Sequence, residues 1–258
     1  MEPLLKASHV VEMFGGLKAV SDFSIYLNPG ELIGLIGPNG AGKTTAFNLF
    51  TGVYQPTSGT IEFDGQSIAG LKPYEITQRG IARTFQNIRL FSELSVLDNV
   101  KIAVHSHVKY GVAEAIFRVG RYFDEEAMVT AESHRLLSIF KLDDKAEETA
   151  KNLPYGAQRR LEIARALAAK PKLLLLDEPA AGMNPQETQE LMDMIRWIRD
   201  QFSLTILLIE HDMSLVMGIC EGIAVLNYGK IIAKGTPKEI QSNPVVIEAY
   251  LGEEASHA

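Results

Sequence analysis

The strongest chemical signal in the chain is the stretch Leu35-Ile36-Gly37-Pro38-Asn39-Gly40-Ala41-Gly42-Lys43-Thr44-Thr45. It fits the pattern G-x4-G-K-[ST] and reads as a buried strand, a glycine-rich loop and the opening of a helix. The glycines let the backbone bend so that successive N–H groups converge on one anion. The helix that follows adds its positive N-terminal end. Lys43 is placed to reach the β- and γ-phosphates of a nucleotide, and Thr44 to offer a hydroxyl to Mg²⁺. Alone, the pattern specifies only that a nucleoside triphosphate binds.

A second constellation narrows the chemistry. The apolar run ending at Leu176 closes on Asp177-Glu178, and successive residues at a strand end point different ways. Asp177 can therefore hold Mg²⁺ through water while Glu178 faces an attacking water as general base. Without a phosphate loop these would read as two solvated acids. With one, the second acid points to hydrolysis rather than kinase transfer. His211 follows the next apolar run, Leu204–Ile209, which places it on the same sheet edge as Gly37 and Glu178. An imidazole there can hydrogen-bond a γ-phosphate and the attacking water. Gln86 ends an extended segment with an amide suited to Mg²⁺ or water, though a single loop glutamine carries no meaning by itself. His9, His105, His107, His134 and His257 lack ligand spacing and read as surface residues.

The elements that must position these groups follow from periodicity. Residues 4–27 alternate in two runs broken at Phe14-Gly15-Gly16, an antiparallel start. Glu31–Ile36 is the strand that delivers the loop, Lys43–Thr51 the helix after it, Thr60–Asp64 a short strand and Gly80–Gln86 an extended run. From about Arg89 to Asn152 the period becomes helical, as in a separate inserted lobe. Ala157–Ala169 is a basic and apolar helix. Asn184-Pro185-Gln186-Glu187 supplies an N-cap, a proline at N1 and an acid at N3. The helix it starts buries Leu191, Met194, Ile195 and Ile198, with Trp197 in secondary packing off that stripe. Ile223–Leu226, Asn227-Tyr228-Gly229 and Ile231–Ala233 form a closing hairpin. Thr236-Pro237-Lys238-Glu239 is a capping box, and Pro244–Leu251 a last helix before a frayed tail. Strands alternating with helices around a phosphate loop give a mostly parallel α/β sheet.

Bulk properties exclude several classes. No run approaches the roughly 18 apolar residues that span a bilayer, and no apolar segment follows a basic start, so neither a membrane span nor a signal peptide is expected. A net charge of −7 argues against nucleic acid as the main ligand. The single cysteine, Cys220, allows no internal disulfide and reads as a buried structural thiol. The expectation is a soluble cytoplasmic protein.

Taken together, these motifs resemble the ATP-binding subunits of ABC transporters over nearly the whole length. Gly37–Thr45 matches the Walker A loop, Gln86 the Q-loop, Leu173–Glu178 Walker B and His211 the switch histidine. Leu153-Pro154-Tyr155-Gly156-Ala157-Gln158 matches the signature position, and Ala180–Asn184 the D-loop. Phe14 sits where the family stacks an aromatic on adenine, although a core aromatic would look the same. The resemblance implies a P-loop NTPase fold with a RecA-like sheet, an antiparallel β subdomain and an inserted α-helical subdomain. It divides the chain into a core (1–88 and 153–235), a helical lobe (89–152) and a C-terminal extension (236–258). It also implies ATP and Mg²⁺ as ligands, the ion being held by Thr44, Gln86 and Asp177 partly through water.

In the family, the signature (here Tyr155, Gly156, Ala157 and Gln158) acts in trans on the nucleotide of the other subunit. The usual form is Leu-Ser-Gly-Gly-Gln. Here Pro154 brings neither hydroxyl nor backbone N–H, which should weaken the contact without abolishing it and make two composite sites unequal. Phe14-Gly15-Gly16-Leu17, Arg83-Thr84-Phe85-Gln86, Tyr155-Gly156, Pro179-Ala180-Ala181-Gly182 and Ala249-Tyr250-Leu251-Gly252 resemble one branch, the LivG-type ATPases of branched-chain amino-acid importers. That branch implies a LivF-type second ATPase (or a homodimer), two transmembrane permease subunits, an extracytoplasmic binding protein and a place on the cytoplasmic face of the inner membrane. A related transport ATPase for urea, short amides or an exported lipid is the alternative.

Overall fold

A computed structural model of the chain describes residues 2–256; from position 251 onward only the backbone belongs to that set. Contacts divide the chain into two compact units, Met1–Arg83 with Lys172–Ala258, and Thr84–Pro171. This partition assigns residues 84–88 and 153–171 to the inserted unit, where the sequence expectation had given them to the core.

The first unit opens with β1 (Leu5–Phe14) and β2 (Leu17–Leu27), paired antiparallel. β3 (Leu32–Ile36) delivers the phosphate loop to α1 (Lys43–Phe50), and β4 (Ser58–Phe63), β5 (Gln66–Ser67), α2 (Pro73–Arg79) and β6 (Ile81–Arg83) follow. The second unit contains α3 (Val96–Val104), α4 (Val112–Phe117), α5 (Tyr122–Ile139) and α6 (Tyr155–Ala168). The chain then returns to the first unit as β7 (Leu173–Asp177), α7 (Pro185–Phe202), β8 (Thr205–Ile209), α8 (Met213–Ile219), β9 (Gly222–Asn227), β10 (Lys230–Gly235), α9 (Pro237–Gln241) and α10 (Pro244–Ser256). The last helix thus runs five residues past the expected Leu251; the last two residues of the tail read as frayed lie outside the described residues.

Two sheets form the first unit, one in the order β2-β1-β4-β5 and one in the order β10-β9-β3-β8-β7-β6. The second is parallel except for β10. Every residue of β7 and β8 is buried, which is why both read as unbroken apolar runs rather than alternating ones. Phe23, Phe47, Phe50, Ile61 and Phe63 fill the core of this unit with Leu35, Leu207 and Ile209. In the β9–β10 turn, Tyr228 and Gly229 both have positive φ, the geometry whose twist matches an antiparallel hairpin. α7 begins with the expected box: Asn184 Oδ1 accepts from Glu187 N, and Glu187 accepts from Asn184 N. Met192 rather than Met194 is buried on this helix, with its methyl close to Gly218 of α8. Trp197 is exposed and meets Phe202 edge-on. Cys220 is buried, and burial pushes its thiol pKa up to about 12, so it is inert as a nucleophile.

Candidate active site

The strand order sets the site. β3, β8, β7 and β6 lie side by side and parallel, so the segments after Ile36, Ile209, Asp177 and Arg83 emerge along one carboxyl edge. In the first unit this brings together the Gly37–Thr45 loop, Asp177, Glu178 and His211. Gln86 and the signature segment belong to the second unit.

The phosphate loop is buttressed by its neighbours. Gly37 has φ 151°, and a Cβ there would lie 1.9 Å from the carbonyl oxygen of Leu226. Only glycine fits that approach. Ala41 O accepts a hydrogen bond from Gly229 N at 2.8 Å, which ties the loop to the β9–β10 turn. Pro38 and Ala41 are buried, whereas Asn39 and Gly40 form the exposed tip and Thr44 is exposed on the first turn of α1. That turn contains no acid, so its positive end is not neutralised. The Lys43 ammonium donates to Gly37 O at 2.6 Å and Pro38 O at 2.9 Å, curled across its own loop, where phosphate oxygens are the natural replacement acceptors.

Asp177 is buried and paired with Arg83, Nη2 to Oδ2 at 2.6 Å. The other arm of Arg83 donates to Asn48 Oδ1 at 2.6 Å, and the guanidinium lies over the Phe47 ring. Arg83 thereby fixes Asp177 relative to α1, the helix that presents Lys43 and Thr44. An arginine ending an otherwise apolar strand was the sequence signal for this contact.

Glu178 has φ 47°, a left-handed conformation that is costly for a non-glycine residue and that turns its side chain out of the strand. Its N–H donates to Ile209 O at 2.8 Å. Its carboxylate Oε1 lies 2.8 Å from His211 Nε2; with Glu178 ionised, the ring N–H donates. Glu210, whose role the sequence gave no reason to single out, holds this pair in place. It is buried, and its carboxylate accepts from Ala180 N at 2.8 Å and His211 N at 3.0 Å, with Asp212 N at 3.4 Å. The segment after Glu178 is thus bound to the one that carries His211. Burial, with the nearby Glu178 charge adding to it, holds the Glu210 carboxyl above the ordinary glutamate range.

In the second unit, Gln86 is exposed and its backbone is clamped from α6. The fully buried Arg159 donates to Phe85 O at 2.6 Å, Gln86 O at 2.8 Å and Glu162 Oε2 at 2.8 Å. Glu162 in turn accepts from Arg89 N at 3.1 Å and Phe85 N at 3.4 Å. Its burial raises its pKa against those bonds. α6 opens at the signature: Pro154 is its N-cap, Tyr155 is exposed, Gly156 half-buried and Ala157 buried. Gln158 Nε2 donates back to Leu153 O at 2.8 Å. Arg159 and Glu162, an i,i+3 pair on a basic helix, look solvated in the sequence and gave no sign of this clamp. Phe14 is 43% exposed, with its ring edge-on to Tyr54 at 4.9 Å, so it is not a core aromatic. Among the described residues no group of three or more His, Cys, Asp or Glu could hold a metal by itself.

A parallel sheet with a glycine-rich loop, a buried carboxylate and an acid–histidine pair on one edge is the arrangement of a P-loop nucleotide hydrolase. The chain belongs to the ABC transporter ATP-binding family, whose profile matches residues 20–181. A second profile, described as branched-chain amino acid ATP-binding cassette transporter, matches residues 230–256. The high-affinity branched-chain amino acid transport ATP-binding protein LivG of Escherichia coli K12 is 46% identical over 98% of this chain and 99% of its own. BraF of Pseudomonas aeruginosa, of the same description, is 45% identical over 97% and 98%. The crystal structure of the ADP conformation of MJ1267, an ATP-binding cassette of an ABC transporter, superposes with TM-score 0.84 at 31% identity, covering 98% and 100%.

Proposed function

We propose that this chain is the ATP-hydrolysing subunit of an importer for branched-chain amino acids. The observation that carries the hydrolytic part is the Glu178–His211 pair at 2.8 Å on the sheet edge that carries the phosphate loop. The cargo follows from the near-full-length likeness to LivG and BraF and from the match of the C-terminal segment.

The chain's own groups divide the work. Backbone N–H groups of Gly37–Thr45 and the start of α1 bind phosphate, and Lys43 exchanges its loop carbonyls for β- and γ-oxygens. Phe14 stacks on the base. Glu178 takes a proton from water, and His211 holds that carboxylate until it turns to the γ-phosphate. The donors present in the first unit fit Mg²⁺: Thr44 Oγ and the Asp177 carboxylate are hard oxygens, too few for a protein cage and suited to an ion that arrives with phosphate. Bound there, the ion would neutralise charge developing on the phosphoryl oxygens.

The signature segment Tyr155–Gln158 completes the γ-phosphate face of a second subunit, either a LivF-type ATPase or another copy. Closure of that pair drives two permease subunits at the cytoplasmic face of the membrane; hydrolysis reopens it. No helix among the described residues is long and apolar enough to cross the membrane. The test is to purify the chain with the permease subunits that co-elute and add loaded binding proteins. Stimulation of ATP turnover by a branched-chain amino-acid receptor supports the reading. Stimulation only by a urea or amide receptor, or by lipid, replaces the cargo.

A further inference from the structure

The exposed ring of Phe14 ends β1 at a tight turn, and a second aromatic stands against it. Tyr54, in the loop between α1 and β4, meets it at 4.9 Å between ring centroids with the planes 70° apart. A near-perpendicular contact covers at most one face of Phe14, so a face stays open to a flat ligand. Tyr54 itself is half-buried and packs against the core of the first unit. Its backbone N–H and that of Val53 both donate to Asn48 O, at 3.2 and 2.9 Å, which fastens the loop to the last turn of α1. At the other end of the loop Thr57 holds β1. Its N–H donates to Val11 O at 2.8 Å, and its hydroxyl accepts from Met13 N at 3.2 Å. The buried Glu12 carboxylate accepts from the same Thr57 N–H at 3.2 Å.

These contacts make α1 a spacer between two halves of one site. Its first turn presents Lys43 and Thr44 to the phosphates, and its last turn carries the loop whose Tyr54 ring meets Phe14. A base and its triphosphate form one covalent ligand, so the platform for the base must stand at a fixed reach from the phosphate loop. A phenylalanine ring on an exposed turn is otherwise free to change rotamer, and stacking would have to immobilise it at a cost in affinity. We propose that Tyr54 is a positioning residue of the nucleotide site: its ring holds Phe14 in the rotamer that stacks on the base and sets it relative to the phosphate loop. Tyr54 acts through Phe14 and contributes nothing to phosphate binding. The proposal rests on the reading that Phe14 stacks on the base, and the variants below separate the two.

The ATP affinity of the purified full chain is measured by titration calorimetry with Mg²⁺ present, for the parent, Tyr54→Leu, Tyr54→Phe, Phe14→Ala and the double variant Phe14→Ala with Tyr54→Leu. Tyr54→Leu keeps apolar bulk against the core and should raise the Kd for ATP about three- to tenfold, the range of one aromatic pair. Tyr54→Phe keeps the ring and should bind like the parent. In the Phe14→Ala background, Tyr54→Leu should change the Kd by less than about twofold, because the ring it positions is gone. A residue that only supports the fold would lower affinity equally with and without Phe14. Thermal unfolding is recorded for every variant, and if Tyr54→Leu lowers the midpoint, Tyr54→Met takes its place in the cycle. Unchanged affinity in Tyr54→Leu while Phe14→Ala binds weakly overturns the role of Tyr54 alone. So does a Tyr54→Phe variant as weak as Tyr54→Leu, or an equal loss in the Phe14→Ala background. Phe14→Ala binding ATP like the parent overturns the stacking reading and the role of Tyr54 with it.

Discussion

Replacing Arg159 by Met tests the clamp that joins the signature helix to the Gln86 segment. The guanidinium is fully buried and holds Phe85 O, Gln86 O, Glu162 and the Tyr155 hydroxyl. Met keeps most of the volume but leaves Glu162, itself buried, without its cation. Breaking a buried pair in this way costs about 3–5 kcal/mol. For a chain of this size that is a fall in Tm of roughly 6–20 °C. Adding Glu162→Leu removes the stranded carboxylate and should restore part of the stability. The backbone groups of Phe85, Gln86 and Arg89 remain without those partners, so the Gln86 segment stays loose. Urea unfolding and steady-state ATP turnover should therefore separate: the double variant regains stability over Arg159→Met, yet both keep a low kcat. If turnover returns along with stability, the pair serves packing alone and the positioning role assigned to it is refuted.

Glu210→Gln leaves one acceptor for the N–H groups of Ala180, His211 and Asp212, so kcat should fall by about 10–100-fold with little change in KM for ATP; an unchanged kcat would remove Glu210 from the positioning of the Glu178–His211 pair. The same variant should show a pH signature. The folded pKa of Glu210 lies above its unfolded value near 4.5, so its contribution to stability is fully present below that value and is lost as pH rises through the folded one. Urea midpoints should accordingly shift in favour of the Gln variant as pH rises from about 4 to about 8, and a shift the other way would contradict the sign. Phe14→Ala should weaken ATP binding by about the 1–3 kcal/mol of a base stack without lowering Tm, as measured by titration calorimetry and thermal unfolding.

What the sequence made legible was whatever is encoded locally. The phosphate loop, the Asn184 and Thr236 caps and the Tyr228-Gly229 turn are each set by a few adjacent residues, and each stands where the spacing placed it. The apolar runs of β7 and β8 announced a doubly covered sheet and hence the edge on which Glu178 and His211 meet. Short elements without a full period escaped: α2 and α8 have seven residues each, although Pro73, Glu75 and the capping Asp212 mark their starts. Buried charge was the other blind spot. Arg159, Glu162 and Glu210 owe their roles to partners 30 or more residues away in sequence, and no local pattern separates them from solvated side chains.

The central claim is that Glu178 is the base of a site that a second subunit closes. The direct measurement is ATP turnover and assembly state of Glu178→Gln with ATP and Mg²⁺, by phosphate release and light scattering. The account predicts turnover lower by about 10²–10⁴-fold, ATP still bound and a stable ATP-dependent dimer. A variant that hydrolyses ATP like the parent, or one that binds ATP and stays monomeric, would contradict it.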